Sequence, residues 1–373
     1  MIRYLTAGES HGPALVGIVE GIPAGLSLSA SYISHQLWRR QQGYGRGGRM
    51  RIEKDAAEIL SGVRFGKTLG SPIAFVVRNR DWEHWRLKMA VDGTGRGVGK
   101  VTIPRPGHAD YTGFVKYGYD DIRNAIERAS ARETAMRVAC CSVARKLLEE
   151  FGIFIGSHVL SIGRAGYTGR EALERQLRRL ANASCGAYKI SERADSSEVR
   201  ILGKKVSDQA VEAIKKVMEK GDTLGGIFEV FVTGVPAGLG SYVQSDRKLD
   251  GQLCQAVGSI HAVKGVEIGD GFSNALKPGS EVQDELFVDR KGTIYRKTNR
   301  AGGLEGGVTN GEWLILRGAM KPLSTLMKPL RTVDLKTRKP VESRRERSDY
   351  CAVPACSVIA EAVIAPVIAN AFL

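Results

Sequence analysis

Residues 351–373, CAVPACSVIAEAVIAPVIANAFL, most narrowly limit what this chain can fold into. A run so nearly apolar must be enclosed by a protein core or by a membrane. A membrane span needs about 20 unbroken apolar residues, whereas Glu361, Pro366 and Asn370 interrupt this one. Pro354 suits the first turn of a helix. A buried core helix without membrane association is therefore expected, and the 373 residues suffice to build a large core around it.

The 45 glycines follow no collagen period and form no low-complexity tract, so they imply tight turns and close backbone approaches. Two pairs of segments echo each other. GIVEGIPAGL at 17–26 matches VFVTGVPAGL at 230–239, and GKTLGSPIAFVV at 66–77 matches GDTLGGIFEVFV at 221–232. Each pairs a glycine turn with a β-rich run. The two echoes come in opposite order in the two halves, which argues against simple tandem duplication but allows two related β-containing lobes within a single domain, 1–373. Helical spacing is expected at 31–42, with Ile33, Leu37 and Trp38 on one side, and at 132–151, with Met136, Ala139, Cys140, Val143, Leu147 and Leu148 as its stripe. Residues 171–180 and 207–219 read as charged surface helices, and 332–347, rich in Lys and Arg, as a mobile basic loop. Strand pairs interspersed with helices make the fold class α+β.

The net charge of +15 favours anionic partners. Residues 39–51, RRQQGYGRGGRMR, gather five arginines and four glycines with no carboxylate among them. Such guanidinium forks suit carboxylate and phosphate. No nucleic-acid module accompanies them, so specific nucleic-acid binding is not expected. The six cysteines form no CxxC pair and read as buried thiols. The pattern G-x-S-x-G at 8–12 resembles a hydrolase nucleophile elbow, but the residues after it are β-branched rather than helical. His11 is the alternative working group there. RPGHAD at 105–110 supplies His108 in a turn beside Arg105. In RASARET, 128–134, Ser130 and Glu133 fit a capping box, which would set a helix N-terminus beside Arg128 and Arg132. No phosphate loop, dinucleotide fingerprint or metal-ligand cluster is visible.

Taken in order, AGESHG (7–12), RRQQGYGRGGRM (39–50), RPGHAD (105–110), RASARET (128–134), HAVKGVEIGDGF (261–272), NRAGGLEGGVTNG (299–311), RGAMKP (317–322) and RSDYCAVPA (347–355) resemble the chorismate synthase family. The resemblance implies a β-α-β sandwich with helices enclosed between antiparallel sheets, and a homotetramer in the cytoplasm. It implies an anti-1,4 elimination of phosphate from 5-enolpyruvylshikimate 3-phosphate to give chorismate, the last common step toward the aromatic amino acids. Reduced FMN is required without net redox change. Matched positions make His11, His108 and Asp349 catalytic, and assign Ser10, Arg40, Arg46, Arg49, Arg105, Arg132 and Arg347 to the substrate. FMN contacts fall to Arg128, Ala129, Ser130, His261, Ala262, Gly306, Lys321, Pro322, Leu323, Ser324, Thr325 and Arg347. At 261 the family more often carries Asn or Gln. Some members have their own NADPH-dependent flavin reductase activity; the lack of large insertions here points to an external flavin reductase.

Overall fold

Strand Ala14–Glu20 alternates buried Leu15, Gly17 and Val19 with exposed Val16, Ile18 and Glu20, the period of two that a sheet with one covered face requires. What covers Gly17 is helix Glu133–Glu150: a Cβ added at this glycine would lie 2.4 Å from Cys140 Sγ and 2.6 Å from Met136 Sδ. The computed structural model describes residues 1–48, 52–167, 177, 186–346 and 348–373. The chain divides into two compact units: residues 1–143, 211–225 and 322–355 form one, and residues 144–210, 226–321 and 356–373 the other.

The first unit holds an antiparallel sheet in the order Arg3–Ala7, Ala14–Glu20, Ile73–Arg78, Glu58–Ile59. Helix Ala30–Gln41 is capped by Ser29, whose side chain accepts from the Tyr32 N–H. It buries Ile33 and Leu37 as expected, but Trp38 is half exposed while Arg39 and Arg40 are buried. The apolar stripe foreseen for helix Glu133–Glu150 is wholly buried, and the helix is covered on further sides as well, through Ala135, Val138, Cys141 and Ala144. Its start is not a reciprocal capping box: the Glu133 carboxylate accepts from Thr6 Oγ1 and pairs with Arg137. Residues 332–347 are expected as a mobile loop; strand Arg331–Val333 runs into this segment and pairs with Pro340–Glu342. Leu335 is buried beside Val101 and Ile122, so apolar residues among the lysines and arginines give this segment something to bury.

The second unit holds an antiparallel sheet in the order Val263–Ile268, Leu314–Met320, Gly226–Thr233, Phe154–Ile162, Ala165–Gly166. Phe231 and Ile315 cluster with Ala187, Ile190 and Ala194 of helix Gly186–Asp195. The C-terminal helix runs from Val353 to Phe372 with Pro366 inside it. Among the described residues it is the helix long and apolar enough to cross a membrane, and 78% of its apolar window is buried. Glu361 on this helix has no exposed surface. Its carboxylate accepts from Arg145 at 2.5 Å, Ser157 at 2.6 Å, Ser191 at 2.9 Å and Arg200 at 3.1 Å, as a buried charge requires. The helix expected at 171–180 lies outside the described residues, Leu177 excepted.

The two units repeat one motif. In the first, Thr68 Oγ1 donates to Pro23 O at 2.6 Å and accepts from Leu26 N at 2.9 Å. In the second, Thr309 Oγ1 donates to Pro236 O at 2.7 Å and accepts from Leu239 N at 2.8 Å. Gly21 and Gly234 share φ of +81° and each presses on a backbone carbonyl, of Met1 and Gly152 respectively. The first echo is thus a structural equivalence. The second is not: segment 66–77 corresponds to 307–318, with hairpin pairs Val63–Thr68 and Leu304–Thr309 in matching register. With this partner the repeat runs in the same chain order in both units, correcting the reversed order read from the sequence. The spacing G-x-T-x-G survives at 66–70 and 307–311, while the residues around it have diverged.

Candidate active site

Residues 8–12 turn between strands Arg3–Ala7 and Ala14–Glu20, a strand-to-strand connection rather than the strand-to-helix elbow a serine nucleophile needs. The end of helix Arg123–Arg128, Ser130 just beyond it, and Asn79 hold this turn from several directions. Ser10 N donates to Glu127 O at 3.0 Å, and the Ser130 hydroxyl donates to Ser10 Oγ at 3.0 Å. Arg128 donates to the carbonyls of Thr6 and Gly8. Asn79 Nδ2 donates to Glu9 O and Gly12 O, while its Oδ1 accepts from Arg132 Nε at 2.9 Å.

His11 sits at the centre. Its Nδ1 lies 2.8 Å and 3.0 Å from the two Glu127 carboxylate oxygens, and its backbone N–H donates to the same carboxylate at 2.8 Å. Trp85 stacks on the ring with centroids 3.9 Å apart. Asp81 Oδ2 is 3.9 Å from Nε2 and accepts from the Trp85 indole N–H.

Two of the arginines read from the sequence, Arg40 and Arg132, are held by Asp55 and Glu53, carboxylates that the sequence did not single out. Arg132 donates to Asp55 at 2.5 Å and faces Glu53 at 3.7 Å. Arg40 donates to Thr134 Oγ1 and Ala131 O, and faces Asp55 at 3.6 Å. Arg40 Nη1 and Arg132 Nη2 are buried and make no hydrogen bond to any described residue. Burial pulls the Arg40 guanidinium down to about 10; Asp55 opposes that fall, and the positive charges of Arg46 and Arg132 add to it. Arg46 pairs with Asp349 at 2.8 Å, and Gly47 N donates to the same carboxylate at 2.6 Å. Tyr350 N donates to Gly45 O, so residues 45–47 are docked on 349–350.

A second cluster surrounds Arg105. Its Nε donates to Asp110 at 2.9 Å, and its Nη1 donates to Thr325 Oγ1 at 3.0 Å and Glu346 at 3.1 Å. His108 Nδ1 is 2.5 Å from Asp110. Burial alone would raise the Asp110 carboxyl, but hydrogen bonds and charge from His108 and Arg105 hold it well below the usual carboxylate range. Burial alone would lower Arg105; Asp110, Glu346 and Glu127 hold it above its ordinary value.

Among the other expected residues, Ala129 follows helix Arg123–Arg128, and Pro322–Thr325 follow strand Leu314–Met320, with Leu323 O accepting from Thr223. In the second unit, Lys321 N donates to Ala262 O at 2.9 Å. Ala262 has φ of +65°, uncommon for a residue with a Cβ, and His261 precedes it in the same turn. Gly306 has φ of +63° in the hairpin turn between Leu304–Glu305 and Val308–Thr309. Arg49 and Arg347 lie outside the described residues. Among the described residues no His, Cys, Asp and Glu group could hold a metal, and Cys140, Cys141, Cys351 and Cys356 are buried and outside any disulfide.

Mixed helices and antiparallel sheets, with two histidines and four arginines each paired to a carboxylate, define an α+β protein with the charged side chains of an enzyme. The family model described as chorismate synthase matches residues 2–373. The chorismate synthase of Chlorobium phaeobacteroides (strain BS1) is 60% identical over 374 residues, covering 100% of this chain and 93% of the relative. That of Chloroherpeton thalassium (strain ATCC 35110 / GB-78) is 59% identical, covering 100% and 94%. A chorismate synthase crystal structure superposes with a TM-score of 0.77 at 44% identity, covering 100% of this chain and 91% of that one. The chain belongs to the chorismate synthase family and has its α+β fold. It is a carbon–oxygen lyase of the shikimate pathway.

Proposed function

We propose that this chain removes phosphate from 5-enolpyruvylshikimate 3-phosphate by an anti-1,4 elimination, giving chorismate with reduced FMN present and no net redox change. The observation that carries this reading is the cluster of Arg40, Arg46 and Arg132, in which buried Arg40 and Arg132 each keep one guanidinium nitrogen without a hydrogen-bond acceptor among the described residues, Asp55 and Glu53 facing them only at 3.6 Å and 3.7 Å. A substrate with two carboxylates and a phosphate supplies such acceptors, and bidentate pairing would orient it. Arg105, Ser10, Arg49 and Arg347 complete the proposed substrate set.

His11 donates its proton from Nε2 to the departing phosphate, and the arginines stabilise the charge that develops there. Asp349, held by Arg46 and Gly47 N–H, assists removal of the C6 proton on the substrate. His108, beside Arg105 and Asp110, adjusts protonation at the flavin.

The donor set fits a flavin mononucleotide. In the first unit Ser130, Ser324 and Thr325 offer hydroxyls; in the second, taken by itself, Lys321 offers a cation and Ala262 holds a positive φ, the kind of strained backbone that persists where a ligand is held. Arg128, Ala129, His261, Gly306, Pro322, Leu323 and Arg347 complete the residues that would hold it. When bound, reduced FMN supplies electron density that eases loss of the allylic phosphate. The enzyme acts in the cytoplasm as a homotetramer, with an external flavin reductase supplying reduced cofactor.

The test is anaerobic. Protein mixed with dithionite-reduced FMN and 5-enolpyruvylshikimate 3-phosphate is expected to release phosphate as chorismate absorbance appears. A folded sample producing neither overturns the reading.

A further inference from the structure

We infer that Glu127 is the positioning residue for His11, fixing which ring nitrogen faces the substrate. This rests on the proposed role of His11 as the proton donor. Glu127 has 2% of its surface exposed, and its carboxylate is directed at a single neighbour. Both oxygens lie within 3.0 Å of His11 Nδ1, and one also accepts the His11 backbone N–H. The Glu127 carbonyl accepts from Ser10 N, so one residue grips the turn by backbone and side chain together.

The chemistry follows from what a carboxylate can do. An ionised carboxylate only accepts hydrogen bonds, so the nitrogen facing it must carry a proton. With Nδ1–H committed to Glu127, the transferable proton sits on Nε2, at the opposite edge of the ring. When Nε2–H passes to a departing phosphate oxygen, the N–H bond breaks and an O–H bond forms. The ring is left as the neutral Nδ1–H tautomer, already paired with Glu127. Trp85, stacked at 3.9 Å, restrains ring rotation that would exchange the nitrogens. Glu127 needs no contact with substrate to act this way.

Three variants separate positioning from structure. Glu127→Ala removes the acceptor. Glu127→Gln keeps its shape and one acceptor oxygen without the charge. Glu127→Asp keeps the charge on a shorter arm. Glu127→Ala is expected to lower kcat by about 100-fold or more while KM moves less than about threefold, the pattern for loss of an oriented proton donor. Glu127→Gln is expected to fall between, and Glu127→Asp to recover part of the rate. Independently of turnover, nitrogen-15 NMR of histidine-labelled protein should show neutral His11 as the Nδ1–H tautomer in wild type, with the Nε2–H form gaining population in Glu127→Ala. An active wild type whose Glu127→Ala variant keeps its kcat overturns the proposal, as does an unchanged tautomer signal in a folded variant. A wild type that yields no chorismate would instead refute the proposed reaction, and the tautomer signal would still judge Glu127.

Discussion

Asp110 has no exposed surface, yet its carboxyl lies well below the usual range because burial is outweighed by His108 and Arg105. A carboxyl depressed in the folded state stabilises the fold at pH above its ordinary value of 3.8, and that stabilisation fades as pH falls toward the lower folded value. Asp110→Asn is therefore expected to be less stable than wild type near neutral pH, with the difference shrinking below about pH 4. Urea midpoints measured from pH 7 to pH 2.5 check this, and curves that stay parallel throughout would show that Asp110 is not the group responsible. The sequence exposed the arginines and histidines because guanidinium and imidazole stand out near glycine turns. It concealed Glu127, Glu53, Asp55, Asn79 and Trp85, which act through contacts such as the 116 residues separating His11 from Glu127. Glu127 lies directly before the RASARET motif, but nothing in its local pattern distinguishes a buried acceptor from a helix-surface glutamate.

Strand Ala14–Glu20 and helix Glu133–Glu150 meet where Gly17 has no side chain. Gly17→Ala would drive a Cβ to 2.4 Å from Cys140 Sγ and 2.9 Å from Met136 Cγ, distances at which the helix or its side chains must move. Overpacking of this kind costs about 1–3 kcal/mol. The expected result is a lower urea midpoint with an unchanged m-value, and partial recovery when Cys140→Ala is added to make room. A Gly17→Ala variant as stable as wild type would show that the helix yields freely. Element type was legible wherever period and length agreed, as in the C-terminal helix and the buried stripe of Glu133–Glu150. Details decided by tertiary partners were not. Glu133 turned to Thr6 and Arg137 instead of capping, and Trp38 stayed half exposed while the neighbouring arginines were buried. Glu361 broke an apolar run because Arg145 and Arg200 wait for it in the core. Its presence marks a buried ion cluster rather than a surface face.

Across the whole chain, Thr68 and Thr309 make the same pair of hydrogen bonds to the same kind of turn in different units. The sequence showed a repeat but joined 66–77 to the wrong segment, because TLG recurs by chance at 223–225 while the true counterpart keeps only its glycines and threonine. Hydrogen bonding preserved what side-chain identity did not. Each threonine hydroxyl is buried between a carbonyl and an N–H that its loss would leave unmatched, so Thr68→Val and Thr309→Val should each cost about 1–3 kcal/mol. The two clamps share no hydrogen-bond partner, and their effects are expected to add within about 0.5 kcal/mol in the double variant. Chemical denaturation of the two singles and the double measures this directly. If one variant were costly and the other neutral, the motif would survive in one unit as geometry without energetic value. Comparable and additive losses would instead show that both copies still close their sheets by the same two bonds, leaving the intervening turns and helices to diverge toward the arginine- and histidine-bearing site of the first unit.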